Sequence, residues 1–344
     1  MSQFMAISMG DVAGIGPEII VKAFARGAAE GCVVYGCADA MARAARELAR
    51  GEPCGAAVVA RVDSPADCAR LPRGVIPVLQ VPGIEPGSLR DIVAGCVDAR
   101  AGAAAHASVV EAARAALRGE VAALVTAPIH KEALHAAGVP FPGHTEILQH
   151  LCGGVPVRMM LANEELRTVL VTIHVSVRRA LDAITEESVL QTLRITQAAA
   201  RAWGQERPRI AVAGLNPHAG EGGLFGDEEA RIIAPAIARA RAEGIDASGP
   251  HAPDTVFMRA RSTPRRPGAF DVVVAMLHDH ALIPVKYLGL EHGVNVTLGL
   301  PLVRTSPDHG TAFDIAGRGQ ADESSLCSAI AMARRLCAVP AARP

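Results

Sequence analysis

Along the chain, short apolar runs rich in β-branched residues alternate with longer Ala-rich stretches. Cys32–Gly36, Val75–Val81, Ala122–Pro128, Thr168–His174, Ile210–Leu215 and Val272–Leu277 read as largely apolar strands, the mark of parallel strands covered on both faces. The stretches between them carry helical spacing. Residues 226–244 open on Asp227, Glu228 and Glu229, space Ala230, Ile233, Ile237 and Ala240 on one face, and stop at Gly244, so an amphipathic helix kinked at Pro235 is expected there. Pro82–Gly87 and Thr263–Gly268 read as exposed loops. The alternation predicts layered α/β architecture.

Composition sharpens this reading. The 344 residues are 50% apolar but 3% aromatic, so the core must be built from Ala, Val, Leu and Ile, and the length suits one large domain or two ordinary ones. A net charge of −1 without basic clusters points away from nucleic acid and membrane surfaces. Residues 1–9 lack a basic start and no apolar run reaches membrane-spanning length, so a cytoplasmic protein is expected. The eight cysteines, Cys32, Cys37, Cys54, Cys68, Cys96, Cys152, Cys327 and Cys337, form no C-x-x-C pair and read as buried reduced thiols.

Several clusters could carry chemistry. Gly10-Asp11-Val12-Ala13-Gly14-Ile15-Gly16-Pro17-Glu18 follows a strand and opens a helix, but Ile19 stands where a dinucleotide fingerprint needs a small residue. An ordinary Rossmann site is therefore not expected; Asp11 is either a turn residue or one facing a substrate. Thr126–Lys131 ends a strand and is followed by Pro142-Gly143-His144-Thr145-Glu146, where His144 is a helix-capping or surface residue or else a ligand contact. His174, His218 and His278 each follow a strand-like run, a placement that suits a divalent metal with positions open for substrate. Asp279 would then be a ligand, an orienting group or a catalytic acid/base. Lys286, Asn295 and Arg304 combine cations and an amide in apolar surroundings, which favours phosphate or carboxylate recognition.

The run Asp308-His309-Gly310-Thr311-Ala312-Phe313-Asp314-Ile315-Ala316-Gly317-Arg318-Gly319 resembles the loop that wraps the adenosine half of NAD(P) in the isocitrate and isopropylmalate dehydrogenases. Taken with Gly-Asp-x-Ala-Gly-Ile-Gly-Pro-Glu, Pro-Gly-His-Thr-Glu, Gly-Leu-Asn-Pro-His-Ala-Gly-Glu-Gly-Gly, Met-Leu-His-Asp and Arg-Thr-Ser-x-Asp-His-Gly-Thr-Ala, it makes the chain similar to the 4-hydroxythreonine-4-phosphate dehydrogenase family from about Ala6 to Ala331.

That resemblance implies two layered α/β/α domains, isocitrate/isopropylmalate dehydrogenase-like, with the active site in a cleft. The first would span 1–142 completed by 301–344, and the second 143–300. It implies a homodimer with shared active sites and one divalent metal, zinc, magnesium or cobalt, on His174, His218 and His278. Substrate contacts would fall on His144, Thr145, Lys286, Asn295 and Arg304, catalytic roles on Asp279 and Lys286, and NAD or NADP contacts on His309, Gly310, Thr311, Ala312 and Asp314. The implied reaction oxidises 4-phosphohydroxy-L-threonine and decarboxylates the product toward 3-amino-2-oxopropyl phosphate, in pyridoxal phosphate biosynthesis. D-threonate or D-erythronate 4-phosphate is the alternative substrate, and a cis-dihydrodiol carboxylate a more distant one. Val12 and His280-Ala281 depart from the family's usual residues. A phosphate acyltransferase of similar architecture would leave the His309–Gly319 loop unexplained, and a non-catalytic descendant would have lost a ligand.

Overall fold

The computed structural model describes residues 4–50, 57–289 and 292–338. In chain order it carries β1 (Met5–Ser8), α1 (Gly16–Ala25), β2 (Cys32–Gly36), α2 (Ala38–Ala49), β3 (Val59–Val62), β4 (Ile76–Gln80), α3 (Ala99–Leu117), β5 (Leu124–Thr126), α4 (Lys131–Ala136), α5 (His144–Leu151), β6 (Arg158–Ala162) and β7 (Arg167–Leu170). There follow α6 (Val177–Ala183), α7 (Glu186–Ala202), β8 (Ile210–Ala213), α8 (Ala234–Ala242), β9 (Ala247–His251), α9 (Val256–Ala260), β10 (Val272–Ala275), α10 (His278–Tyr287), β11 (Val294–Leu298), β12 (Arg304–Pro307) and α11 (Ser324–Cys337). These divide into two compact α/β units, one of Met1–Val155 with Leu300–Cys337 and one of Pro156–Gly299.

In the first unit all six strands are parallel, in the order β3-β4-β2-β1-β5-β12. Its central strands β1, β2 and β5 are buried at every position, as their mostly apolar sequences favour, whereas edge strand β3 is partly exposed. Helix α3 packs on β1, β2 and β5, and α11 on β12 and β5. Fully buried Ile7, Ile19, Ile20 and Leu124 each contribute about 1.5–3 kcal/mol of apolar burial. Helix α5 packs on α3, and residues 143–155 group with this unit.

The second unit orders its strands β11-β6-β7-β10-β8-β9, with β6 antiparallel to both neighbours and the rest parallel. Helix α10 packs on β6, β7 and β10 through buried Ala281, Leu282 and Val285. The single helix expected over 226–244 is realised differently. A π-helical turn over Glu229–Ile233 precedes α8, because Pro235 has no N–H to continue an α-helical ladder. The widened turn also changes which side chain faces inward: Glu229 is buried and Ala230 exposed. No described helix is long and apolar enough to cross a membrane. Cys32 and Cys37 are buried free thiols and Cys96 is an exposed one, while Cys54 lies outside the described residues.

Candidate active site

Parallel packing brings the chemistry of the first unit to the carboxyl ends of β1, β5 and β12, where α/β proteins hold their ligands. Arg304 opens β12 in register with Leu124 of β5 and is 3% exposed. Its Nη2 donates to the Thr126 hydroxyl at 2.7 Å. Burial pulls its pKa down to about 10, partly offset by the nearby Glu146 carboxylate, so it stays cationic at neutral pH. His144 is the first residue of α5, after Gly143, and its ring hydrogen-bonds the Ala127 backbone. Burial and then the neighbouring Arg304 charge hold the imidazole well below its ordinary pKa, so it is neutral. The helix-capping reading of His144 gives way to a ring turned onto the strand exit, with a buried Nε2 that finds no protein partner.

That Nε2 is not alone. Ser8 Oγ, Asp11 Oδ2, His130 Nδ1 and His309 Nε2 are also buried without a hydrogen-bond partner. They come from residues that end or follow β1, β5 and β12. Buried polar atoms are rarely abandoned by a fold, so a concentration of them points to a ligand rather than to core. Asp11 is fully buried; its Oδ1 accepts from Ala13 N–H at 2.8 Å. Burial raises its pKa, against the opposing Ala13 bond and the His130 charge. His130, which sequence reasoning did not select, stacks on Phe313 at 4.2 Å and 14°.

The glycine-rich turn proves to be a packing device. A Cβ on Gly10, at φ +75°, would lie 2.5 Å from the Pro128 oxygen, and one on Gly14 2.8 Å from Thr311 Cβ. Ile15 N–H donates to the Thr311 oxygen at 3.0 Å, and Ala321 N–H to Glu18 of α1 at 2.8 Å. The loop holding His309, Gly310, Thr311, Ala312 and Asp314 is thus fastened directly onto residues 10–18. Ala312 adopts a left-handed φ of 43°, which an L-residue accepts only under constraint. Thr311 is buried, whereas Asp314 is exposed.

In the second unit His174, His218 and His278 follow three adjacent parallel strands, β7, β8 and β10. The His174 and His278 ring centroids are 5.6 Å apart. Val171 N–H and the Thr172 hydroxyl tie the segment leading to His174 to the backbone of Ala275 and Met276, just before His278. Asp279 Oδ1 lies 2.7 Å from His278 Nδ1, so the carboxylate turns that ring and leaves Nε2 to face outward. His174 (φ 44°) and His218 (φ 52°) both hold strained left-handed backbone. The His218 ring lies 6.2 Å from that of Phe225. Among the described residues no three His, Cys, Asp or Glu side chains gather closely enough to hold a metal ion. Donor chemistry and strand-end placement fit a metal, and one chain brings two of the three expected ligands together.

Glu229 is a functional support that the sequence did not betray. Its Oε1 accepts from Leu215 and Asn216 N–H, both at 2.7 Å, and its Oε2 from the Asn216 amide at 3.0 Å. Burial alone would push its pKa up, but these bonds outweigh it and keep the carboxyl ionised. The loop so braced carries His218. His218, Asp279 and His280 line a cavity of about 620 Å3 with Phe257, Ile283 and Leu288. Burial lowers the His280 pKa against the opposing Asp279 charge. Lys286, in the last turn of α10, and Asn295, on β11, are both half-buried and belong to this second unit, whereas Thr145 and Arg304 belong to the first.

The family model for the pyridoxal phosphate biosynthetic protein PdxA matches residues 28–333. The chain belongs to the PdxA family. It is 54% identical over 334 residues to a 4-hydroxythreonine-4-phosphate dehydrogenase of Beijerinckia indica, covering 96% of this chain and 94% of the relative. It is 43% identical over 338 residues to a D-threonate 4-phosphate dehydrogenase of Pectobacterium atrosepticum, 98% of this chain and all of that one. The crystal structure of 4-hydroxythreonine-4-phosphate dehydrogenase from Klebsiella pneumoniae superposes with a TM-score of 0.88 at 46% identity, covering 98% of both chains. Relatives in the PdxA family thus carry dehydrogenase names, for two different phosphorylated substrates.

Proposed function

We propose that this chain is an NAD(P)-dependent dehydrogenase that oxidises 4-phosphohydroxy-L-threonine and decarboxylates the product to 3-amino-2-oxopropyl phosphate. The observation that carries the reading is the buried Arg304 guanidinium beside a neutral His144, an anion pocket in a family whose relatives are named for phosphorylated substrates. Arg304, His144 and Thr145 would bind one anionic group, and Lys286 and Asn295 another, so that the reacting carbon is held in place. Asp279 would orient the His278 ring, and the Lys286 ammonium would hold charge on the substrate close to the reacting carbon during the chemical step.

His174, His218 and His278 would hold a divalent zinc, magnesium or cobalt ion, and the loop of His309, Gly310, Thr311, Ala312 and Asp314 an NAD or NADP in the manner of the isocitrate and isopropylmalate dehydrogenases. When bound, the metal supplies a Lewis acid that favours alcohol ionisation and steadies the charge left by CO2 loss, and the nicotinamide supplies the hydride acceptor. The resemblance drawn from the sequence implies sites shared within a homodimer, which accounts for a ligand set left incomplete in one chain.

A specific comparison favours a second substrate, D-threonate 4-phosphate or its erythronate analogue: a relative named D-threonate 4-phosphate dehydrogenase matches 98% of the chain at 43% identity. The test is NAD(P) reduction by metal-supplemented enzyme with the three phosphorylated acids side by side and a chelator control. A preference of orders of magnitude in kcat/KM for the amino substrate supports the first reading. Preference for a sugar acid moves the role to sugar-acid catabolism, and no turnover of any of them overturns both.

A further inference from the structure

The end of β5 holds two of the three side chains proposed to bind an anion in the first unit, and it does so through consecutive residues. Ala127 offers its backbone to the His144 ring, and Thr126 offers its hydroxyl to Arg304 at 2.7 Å. Thr126 is fully buried, and the segment before it, Val121 to Val125, is apolar throughout. A hydroxyl at that point adds nothing to the β-sheet ladder, which uses backbone groups alone. Valine would fill the same space and suit the strand better. The hydroxyl's recorded work is to accept from Nη2 of a guanidinium that is itself 3% exposed, away from competing water. A guanidinium is planar, so holding one Nη fixes where its other N–H groups point.

We infer that Thr126 is a positioning residue that sets the plane of the Arg304 guanidinium for a phosphate or carboxylate of the substrate. This rests on the anion pocket of the proposed function. Parallel register sets the reach: Arg304 lies opposite Leu124, and Thr126 is two residues farther along the same strand, on the same face. The arginine is therefore held leaning toward the strand exit, where His144 is also fastened.

The experiment compares Thr126→Val, Thr126→Ser and Arg304→Ala in the metal-loaded enzyme, by steady-state kinetics and by the rise in Tm that inorganic phosphate produces. The valine variant should raise KM about tenfold or more while kcat changes less than about threefold, as expected when a charge-assisted bond that orients a binding group is lost. Its phosphate-induced rise in Tm should disappear, and the serine variant should recover both properties. Should the valine variant lose its circular dichroism spectrum, Thr126→Ala takes its place with the same expectations. Unchanged KM and phosphate protection in the valine variant overturn the assignment, as does a serine variant no better than valine. If Arg304→Ala is also unaffected, the anion pocket itself has failed; if only the arginine variant is impaired, the pocket stands and Thr126 has no positioning role.

Discussion

Asp279 grips the ring of its own chain neighbour, with Oδ1 2.7 Å from His278 Nδ1. Adjacent residues rarely need such a bond for stability, and an exposed carboxylate adds little there. Its effect is to fix one tautomer and one orientation, as carboxylates do behind metal-binding imidazoles. Asp279→Ala should leave folding intact and weaken zinc or cobalt binding by about 10- to 100-fold, read by calorimetric titration of the chelator-stripped enzyme. Undiminished affinity would remove Asp279 as a support of the His278 ring.

Glu229 braces the strained loop that carries His218. Removing its carboxylate in Glu229→Ala leaves the half-buried Leu215 and Asn216 N–H groups without their acceptor, at a cost of about 1–3 kcal/mol. Urea denaturation should show the loss, with metal affinity falling alongside. A variant as stable as the parent would mean that the loop holds its left-handed run unaided.

Acid should weaken the fold through His144. Its folded pKa lies below the ordinary 6.5, so the unfolded chain takes up a proton first as pH falls, and stability present above about 6.5 is lost on the way down to the folded value. His106, His251 and His280 are displaced in the same direction by burial and add to the slope. Urea midpoints measured between pH 7.5 and 5 should fall, and His144→Gln should flatten part of that fall. An unaltered slope would show that the ring titrates freely.

Gly14 meets Thr311 so closely that Gly14→Ala must push the two segments apart. The expected cost is about 1–3 kcal/mol in urea unfolding, with weaker NAD(P) binding by fluorescence titration. Full retention of both would separate the turn from the cofactor loop.

Much of this was legible in the residues because burial on both sides of a parallel strand leaves a local trace. Cys32–Gly36 read directly as β2, and the histidines at strand ends announced their placement by position alone. What escaped was non-local or depended on backbone geometry. Glu229 looked like an ordinary acidic first-turn residue, and only the π-helical turn before Pro235 carries it inside to meet Leu215 and Asn216. Thr126 and His130 lie in a segment read as the end of a strand, but their partners Arg304 and Phe313 are more than 170 residues away. Asp11 kept its two readings because a turn residue and a ligand-facing one share the same local sequence.

The discontinuity of the first unit has a consequence for how the protein is made. On the ribosome, residues 156–299 can pair β6 through β11 with one another as soon as they emerge, since those five pairings lie within that segment. The first unit has to wait with an open edge at β5 until β12 arrives, and its Gly14 turn is without its counterpart until Thr311 is synthesised. Nascent chains therefore pass through a long interval in which β5 can recruit the wrong strand, and Arg304, the charge that completes the anion pocket, is also part of the strand that ends that exposure.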